Sequence, residues 1–201
     1  MDLPWAAVEP FERGVLDETF LARVDRFVAA AKARGIRPIM NLHSTPCWAA
    51  AAPETVKQGR RRYVNWYTPA EAQDLARVSR HLATRYGEDL AAIELWNEPN
   101  LENFLEPDDL TKSERADRYA EMLNAVYPSV KEAAPSLPVI DGAIGGPDSD
   151  FLEISTTGAS RATPTPSRSI PTTGPEPRTG TARTAGTRST TSREGFRGCA
   201  R

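Results

Sequence analysis

A single acidic side chain follows directly on a short apolar run in the middle of the chain. The run Ala91–Trp96 is mostly apolar and is followed by Asn97, Glu98, Pro99 and Asn100. An acid beside a carboxamide at the end of a strand is placed for proton transfer if the strand ends line a site. Strand ends also carry polar residues simply because they meet solvent, so position alone leaves both interpretations open.

Aromatic side chains and one histidine lie where loops follow other predicted strands. His43 comes just after the apolar stretch Ile36–Leu42, and it is either a hydrogen-bonded histidine at a strand end or a ligand of a bound molecule. Trp5 and Trp48 either offer flat apolar faces for stacking or pack their loops onto the domain. Trp66 is expected to pack a long loop down.

The elements that must position these residues alternate between strands and helices. Periodicity predicts helices over 17–33, 69–86 and 113–134, and strands over 36–42, 91–96 and 138–143. Asp17 is expected to cap the first helix, and Thr68 the second in a capping box with Glu71. Pro128 is expected to kink or split the third helix. The alternation favours a parallel sheet, open or closed into a barrel, and no glycine-rich phosphate loop supports a nucleotide enzyme.

The segment Trp96–Asn100 resembles the strand-four signature of the clan A retaining glycoside hydrolases. That group includes the cellulase-like family five and the xylosidase-containing family thirty-nine. The flanking segments are similar in order and spacing to barrel strands two, three and five, so the resemblance covers residues 1–153. It implies an α/β fold, a partial (β/α)8 TIM barrel of about strands two to five, followed by a disordered C-terminal tail.

The same resemblance implies a role for each candidate residue. Glu98 is expected to be the general acid/base in a double-displacement hydrolysis of O-glycosidic bonds, and Asn97 to bind the sugar 2-hydroxyl. His43 is expected to bind a sugar hydroxyl, and Trp5 and Trp48 to stack on sugar rings. The implied partner is a glycoside, oligosaccharide or polysaccharide, and no metal or organic cofactor is expected.

Charge and composition disfavour several other classes of protein. The chain has 25 Lys and Arg against 27 Asp and Glu, a formal net charge of −2, which gives no support to nucleic-acid binding. No apolar run approaches the roughly 20 residues of a membrane span. The first residues lack the basic and apolar regions of a signal peptide, so the chain as written is expected to be cytoplasmic, although a longer parent could be secreted.

The composition changes sharply near residue 154. Residues 155–201 are nearly all Ser, Thr, Arg, Pro, Gly and Ala, and contain no Leu, Val, Trp, Tyr or Lys. Such a segment cannot bury enough apolar surface to offset its conformational entropy. We therefore predict a partial glycoside hydrolase domain over 1–153 and a disordered low-complexity tail over 154–201. The tail contains arginine but no lysine, which further predicts that it is translated from GC-rich DNA in the wrong reading frame. The alternative is a natural linker.

The sequence carries only one of the two carboxylates that the resemblance requires. Retaining glycosidases use an acid/base and a nucleophile about 5–5.5 Å apart. The resemblance places the nucleophile on strand seven, and nothing in this sequence looks like strands six to eight. The chain is therefore expected to be inactive as written, with a non-catalytic carbohydrate-binding or inert fragment as the alternative. Exposed barrel edges also predict self-association.

Overall fold

A computed structural model describes residues 1–58, 64–107 and 109–160. The strands and α-helices in chain order are β1 (Asp2–Pro4), α1 (Trp5–Val8), α2 (Glu18–Lys32), β2 (Ile39–His43), α3 (Glu54–Gln58), α4 (Ala72–Tyr86), β3 (Ala92–Leu95), α5 (Lys112–Ala133), β4 (Val139–Asp141) and α6 (Ser149–Ser160). These four strands form one sheet in the order β1-β2-β3-β4, and every pairing is parallel. The predicted parallel α/β arrangement is therefore confirmed. None of the described helices has the length and apolar character to cross a membrane.

One face of the sheet packs against the helices and forms the core. Leu42 of β2 and Leu95 of β3 are fully buried and belong to one apolar cluster with side chains from the helices. The helical members of that cluster include Leu21, Val24, Val28, Leu75, Val78, Leu82, Met122, Val126 and Phe151. Burying a side chain of this size stabilises the fold by about 1.5–3 kcal/mol. The cluster therefore fixes the strands relative to the helices and gives the sheet edge a rigid support.

The other face of the sheet is only partly covered. The strand register places Asp2, Asn41, Glu94 and Ile140 in one row across the sheet. Because side chains alternate along a strand, Ile39 lies on the same face as this row. Ile39 and Ile140 are exposed, so this face carries apolar side chains that the described residues do not cover.

Two of the predicted helices agree closely with the structure. Asp17 caps α2, because its side chain accepts a hydrogen bond from the Phe20 backbone N–H at 2.9 Å. Helix α5 runs unbroken through Pro128 and begins with a capping box between Thr111 and Glu114. The alternative that Pro128 splits this helix is therefore wrong.

The predicted start of α4 is also wrong. The helix begins at Ala72, and Glu71 precedes it without a side-chain cap. Thr68 cannot cap the helix because its backbone is engaged elsewhere: its carbonyl accepts from Ala51 N–H at 2.9 Å, and Pro69 forms an antiparallel bridge with Ala50. The pairing of two distant loop segments overrides the local capping signal.

The predicted boundary at residue 153 falls inside α6. Asp148 caps this helix, accepting from Phe151 N–H at 3.2 Å. The helix continues to Ser160, so the prediction that regular structure ends near residue 155 is wrong for residues 155–160. The Thr156 hydroxyl donates to the Leu152 carbonyl at 2.6 Å, and Ser155 is buried. The rest of the predicted tail, residues 161–201, lies outside the described residues, and its origin in a frameshift stays a prediction.

Candidate active site

The carboxyl ends of β2 and β3 bring three of the predicted site residues to the same edge of the sheet. His43 is the last residue of β2, and Asn97 and Glu98 follow β3 after Trp96. All three side chains are half-buried. In α/β folds this edge is where ligands bind, because the loops that follow the strands surround it. The structure therefore offers one place where these side chains can act together.

The backbone that leads from β3 to Glu98 is in an unusual conformation. Trp96 has a φ of 70° and Glu98 a φ of 45°, both in the left-handed region. A bulky residue rarely adopts such a φ, and each instance costs about 1–3 kcal/mol. Such a conformation persists only where surrounding groups hold it. The left-handed turn takes the chain out of the strand direction at the point where Asn97 and Glu98 begin.

Tyr119 of α5 ties the ends of β3 and β4 together behind this turn. Its hydroxyl donates to the Leu95 carbonyl at 2.9 Å and accepts from Gly142 N–H at 2.7 Å. Burial raises the pKa of Tyr119 well above its usual range, so the phenol stays protonated and can donate. Gly142 has no room for a side chain, since a Cβ would lie 2.6 Å from the Leu95 carbonyl oxygen and 2.7 Å from that of Trp96. The close approach of the ends of β3 and β4 therefore requires the hydroxyl of Tyr119 and the missing side chain of Gly142.

Two further hydrogen bonds hold the turn on either side of Asn97. The Asn41 side chain on β2 donates through Nδ2 to the Trp96 carbonyl at 2.8 Å. The Glu98 backbone N–H donates to the Ala143 carbonyl at 2.8 Å, just beyond β4. Neighbouring strands thus hold the backbone on both sides. Within the described ranges, the side chains of Asn97 and Glu98 themselves make no hydrogen bond or ion pair, which leaves them available to a ligand.

Asn100 fixes the far end of the same loop. Its side chain donates to the Gly145 carbonyl at 3.0 Å and accepts from Gly145 N–H at 2.9 Å. This buried amide closes the loop after β3 against the loop after β4. The sequence indicated Asn100 only as part of the motif, because its partner lies 45 residues further along the chain.

His43 lies against an aromatic wall. Its ring stacks on Trp66 with centroids 5.8 Å apart and planes 11° apart, and Trp66 meets Phe104 edge-on at 5.1 Å. The Nδ1 atom of His43 is 2.7 Å from the Ser44 hydroxyl. Burial lowers the pKa of His43, so the ring is neutral at neutral pH. Trp66, which was predicted only to pack a loop, is therefore part of the wall beside His43.

Trp5 does not lie at the site, and the prediction that it stacks on a sugar ring is wrong. The residue begins α1 immediately after β1, and its side chain faces the core with 0% of its surface exposed. Its indole N–H donates to a Glu9 carboxylate oxygen at 2.9 Å. A ring without an exposed face cannot stack on a ligand, so the alternative interpretation, packing, applies.

Trp48 remains half-buried beside this cluster. Its indole N–H donates to the Glu9 carbonyl at 2.9 Å, and its ring meets Trp5 edge-on with centroids 5.7 Å apart. The guanidinium of Arg13 lies 6.0 Å from its ring centroid. The structure thus places Trp48 on the loop after β2, and its stacking role stays a prediction.

A fully buried carboxylate, which the sequence analysis missed, organises this region. Glu9 is 0% exposed, and Arg77 of α4 donates to its two carboxylate oxygens at 2.6 and 2.8 Å. The same carboxylate accepts from Trp5 and from the Gly14 backbone N–H. A buried carboxylate is stable only when paired and hydrogen-bonded in this way. No local pattern distinguishes Glu9 from a loop acid, because its partner Arg77 is distant in the sequence.

The described residues contain no group of three or more His, Cys, Asp or Glu side chains that could hold a metal ion. The side chains at the strand edge can offer proton transfer by a carboxyl group, together with hydrogen bonding and ring contacts. Glu98 supplies a carboxyl group at this edge, and the Ala143 carbonyl accepts a hydrogen bond from its backbone N–H.

Replacing Tyr119 with Phe is expected to lower the free energy of unfolding by about 1–3 kcal/mol. The substitution leaves the buried Leu95 carbonyl without its donor and the buried Gly142 N–H without its acceptor. Urea unfolding followed by circular dichroism measures the loss. Tyr127→Phe on the same helix is the matched control, since Tyr127 is only half-buried, and it should change stability by less than about 0.5 kcal/mol. Equal effects of the two substitutions would show that Tyr119 does not hold the strand ends.

Solved glycosidase structures share this arrangement of strands and helices. The chain is similar to a family 39 glycoside hydrolase from the gut symbiont Bacteroides cellulosilyticus WH2, with 25% identity and a TM-score of 0.56 over 79% of this chain and 29% of that one. It is also similar to Fpglu1 from Fervidobacterium pennivoraus, with 16% identity and a TM-score of 0.54 over 80% of this chain and 41% of that one. Endo-glycoceramidase II from Rhodococcus sp. matches with 20% identity and a TM-score of 0.51 over 70% of this chain and 39% of that one.

These likenesses confirm the partial (β/α)8-barrel fold, and the chain spans 29–41% of the length of these three structures. A sequence model of the cellulase family, glycosyl hydrolase family 5, matches residues 5–164. Because this match covers most of the chain, the protein belongs to that family. Among curated proteins, no sequence matches it.

Proposed function

We propose that this chain carries the acid/base part of a retaining glycoside hydrolase, with Glu98 as the general acid/base. The observation that supports this role best is the left-handed turn at Trp96 and Glu98, which hydrogen bonds from neighbouring elements hold at the carboxyl edge of the sheet. Backbone strain of this kind is concentrated at functional sites. The free Glu98 side chain follows directly on that turn.

In the proposed mechanism Glu98 acts twice. It first protonates the glycosidic oxygen as the aglycone leaves, while a nucleophilic carboxylate forms the glycosyl–enzyme bond. It then takes a proton from the water that breaks this bond, which returns Glu98 to its starting state. The second carboxylate is not among the residues that resemble the family, so the proposal assigns only the acid/base step to this chain.

The neighbouring side chains have proposed roles in binding. Asn97 would hydrogen-bond the sugar 2-hydroxyl, and such a bond strengthens in the transition state. His43 is neutral, and its Nδ1 is engaged with Ser44, so Nε2 is the ring nitrogen that remains for a sugar hydroxyl. Trp48 would offer a face to a sugar ring. A β-glycoside or β-linked oligosaccharide fits this set best, and the family match supports that class of substrate.

A non-catalytic role is the second candidate, and it is favoured for the 201-residue chain because Glu98 is the one carboxylate among the described residues to which the proposal gives a catalytic role. Binding needs only hydrogen-bonding and stacking groups, whereas retaining hydrolysis needs two carboxylates. The two candidates differ in whether product forms.

The 201-residue chain is expected to release no detectable product from aryl β-glycosides. Proton transfer by one positioned group supplies only about 10²–10⁴-fold, whereas enzymes reach about 10⁶–10¹⁷-fold over the uncatalysed reaction. Chromogenic release measures turnover, and quenching of tryptophan fluorescence by cello-oligosaccharides measures binding by the same sample. Turnover at an ordinary enzymatic rate would mean that a nucleophile is present after all. Quenching without turnover would support the binding role.

A further inference from the structure

We propose that two copies of this chain associate about a twofold axis into one closed eight-stranded barrel. In this dimer, β4 of each copy pairs in parallel with β1 of the other. In the part of the chain that the structure describes, the outer edges of β1 and β4 pair with no strand. Because the strands are parallel and in sequential order, one twofold rotation along the barrel axis makes both junctions at once. Closure leaves no exposed strand edge, and eight strands make a barrel whose interior side chains can fill.

The uncovered apolar side chains lie where this dimer would bury them. Ile39 is 42% exposed and Ile140 is 37% exposed, and both lie on the face of the sheet that becomes the barrel interior. The dimer would remove these side chains from water, which favours association. The partner copy contributes the same two residues to the same interior.

The outer helices present apolar side chains at the same junctions. Helix α2 meets α4 through Asp25, which pairs with Arg85. Phe27 is two residues beyond Asp25, which is about 200° around a helix, so it lies on the opposite side of α2. Phe27 is 50% exposed there, and Leu152 of α6 is 39% exposed. Since crossovers are right-handed, α6 of one copy would lie next to α2 of the other, and these two side chains would face one junction.

Charge complementarity supports a second copy of the chain as the partner that covers the edges of β1 and β4. Arg23 and Arg26 are exposed on α2, and Glu153, next to Leu152, is exposed on α6. Within the described ranges none of these three side chains forms an ion pair. The twofold dimer places Arg23 and Arg26 of each copy near Glu153 of the other, at both junctions.

The chain's own C-terminal segment is a poorer occupant of these edges. Residues 161–201 contain 8 arginines but only two acids, Glu176 and Glu194, and the large apolar residues there are Ile170 and Phe196 alone. Such a segment cannot supply a strand with an apolar face, and its positive charge would repel Arg23 and Arg26.

Sedimentation equilibrium of the whole chain tests the proposal. The unmodified chain is expected to have twice its mass of 22.0 kDa. Two charge-reversed chains, Arg23→Glu with Arg26→Glu and Glu153→Arg, should each dimerise at least about tenfold more weakly, because like charges then meet at both junctions. A mixture of the two should dimerise as well as the unmodified chain, since opposite charges then meet at both junctions.

The matched control is Asp117→Arg with Glu121→Arg on α5, two exposed acids away from the junctions, and it should leave the dimer unchanged. Restoration on mixing cannot come from a chain that fails to fold, so it separates specific pairing from damage. A monomeric unmodified chain would overturn the proposal. A dimer whose affinity is unchanged by both charge reversals would also overturn it, since this is the result expected of assembly through the C-terminal segment. Two weakened variants that stay monomeric when mixed would overturn it as well.

Discussion

Replacing Glu98 with Gln in a complete, frame-corrected enzyme is expected to lower kcat/KM for unactivated β-glycosides by about 10²–10⁴-fold. The amide keeps the shape of the carboxyl group but cannot give its proton to the leaving oxygen or take one from water. The backbone bond from Glu98 N–H to the Ala143 carbonyl does not involve the side chain, so the turn should be preserved. Initial rates with a defined oligosaccharide measure the effect.

Glu102→Gln is the matched control for this experiment. Glu102 lies in the same loop, four residues beyond Glu98, and is exposed. It should retain nearly all activity, because a solvated loop acid has no expected role in the reaction. If Glu98→Gln keeps full activity, or if Glu102→Gln loses as much, the proposed role of Glu98 is wrong.

Replacing Glu9 with Ala is expected to destabilise the fold by about 3–5 kcal/mol, as removal of one partner of a buried ion pair usually does. The substitution removes the acceptor for the Trp5 indole N–H in the core, and the two hydrogen bonds from Arg77. It also releases the segment whose carbonyl holds Trp48. The midpoint of urea unfolding, followed by tryptophan fluorescence, measures the change.

Glu132→Ala supplies the control for Glu9→Ala. Glu132 pairs with Arg80 at 3.0 Å, but both side chains are more than half exposed, so water screens the interaction. Its removal should cost no more than about 1 kcal/mol. A loss of under about 1 kcal/mol from Glu9→Ala would contradict the view that this carboxylate organises the region.

The sequence predicted the sheet and the position of Glu98 because both depend on local patterns. Helical and strand periodicities are written in consecutive residues, and the order of the elements restricts the connections to parallel crossovers. The apolar run before Asn97 and the residues that follow it are contiguous, so their place at the strand end could be inferred directly.

Features that depend on distant residues could not be predicted in this way. Thr68 has the local signature of a helix cap, but its pairing with Ala51 prevents that role. Trp5 and Trp48 are both tryptophans in predicted loops, so the sequence does not distinguish them, and only the fold shows that Trp5 is buried. Residues 155–160 have a poor composition for a helix, yet α6 continues through them. For Thr68 and Trp5 tertiary contacts outweigh local preference, whereas in α6 hydroxyl-to-carbonyl hydrogen bonds such as that of Thr156 to Leu152 accompany the continued helix.

The leaving-group dependence of the frame-corrected Glu98→Gln enzyme tests the central claim most directly. A good leaving group departs with little protonation, so loss of the general acid should harm it much less than a poor one. We expect a small loss in the first, glycosylation step for dinitrophenyl β-glycosides and a loss of about 10²–10⁴-fold for unactivated glycosides. Equal losses for both substrates would contradict it, because Glu98 would then not be the group that protonates the departing oxygen.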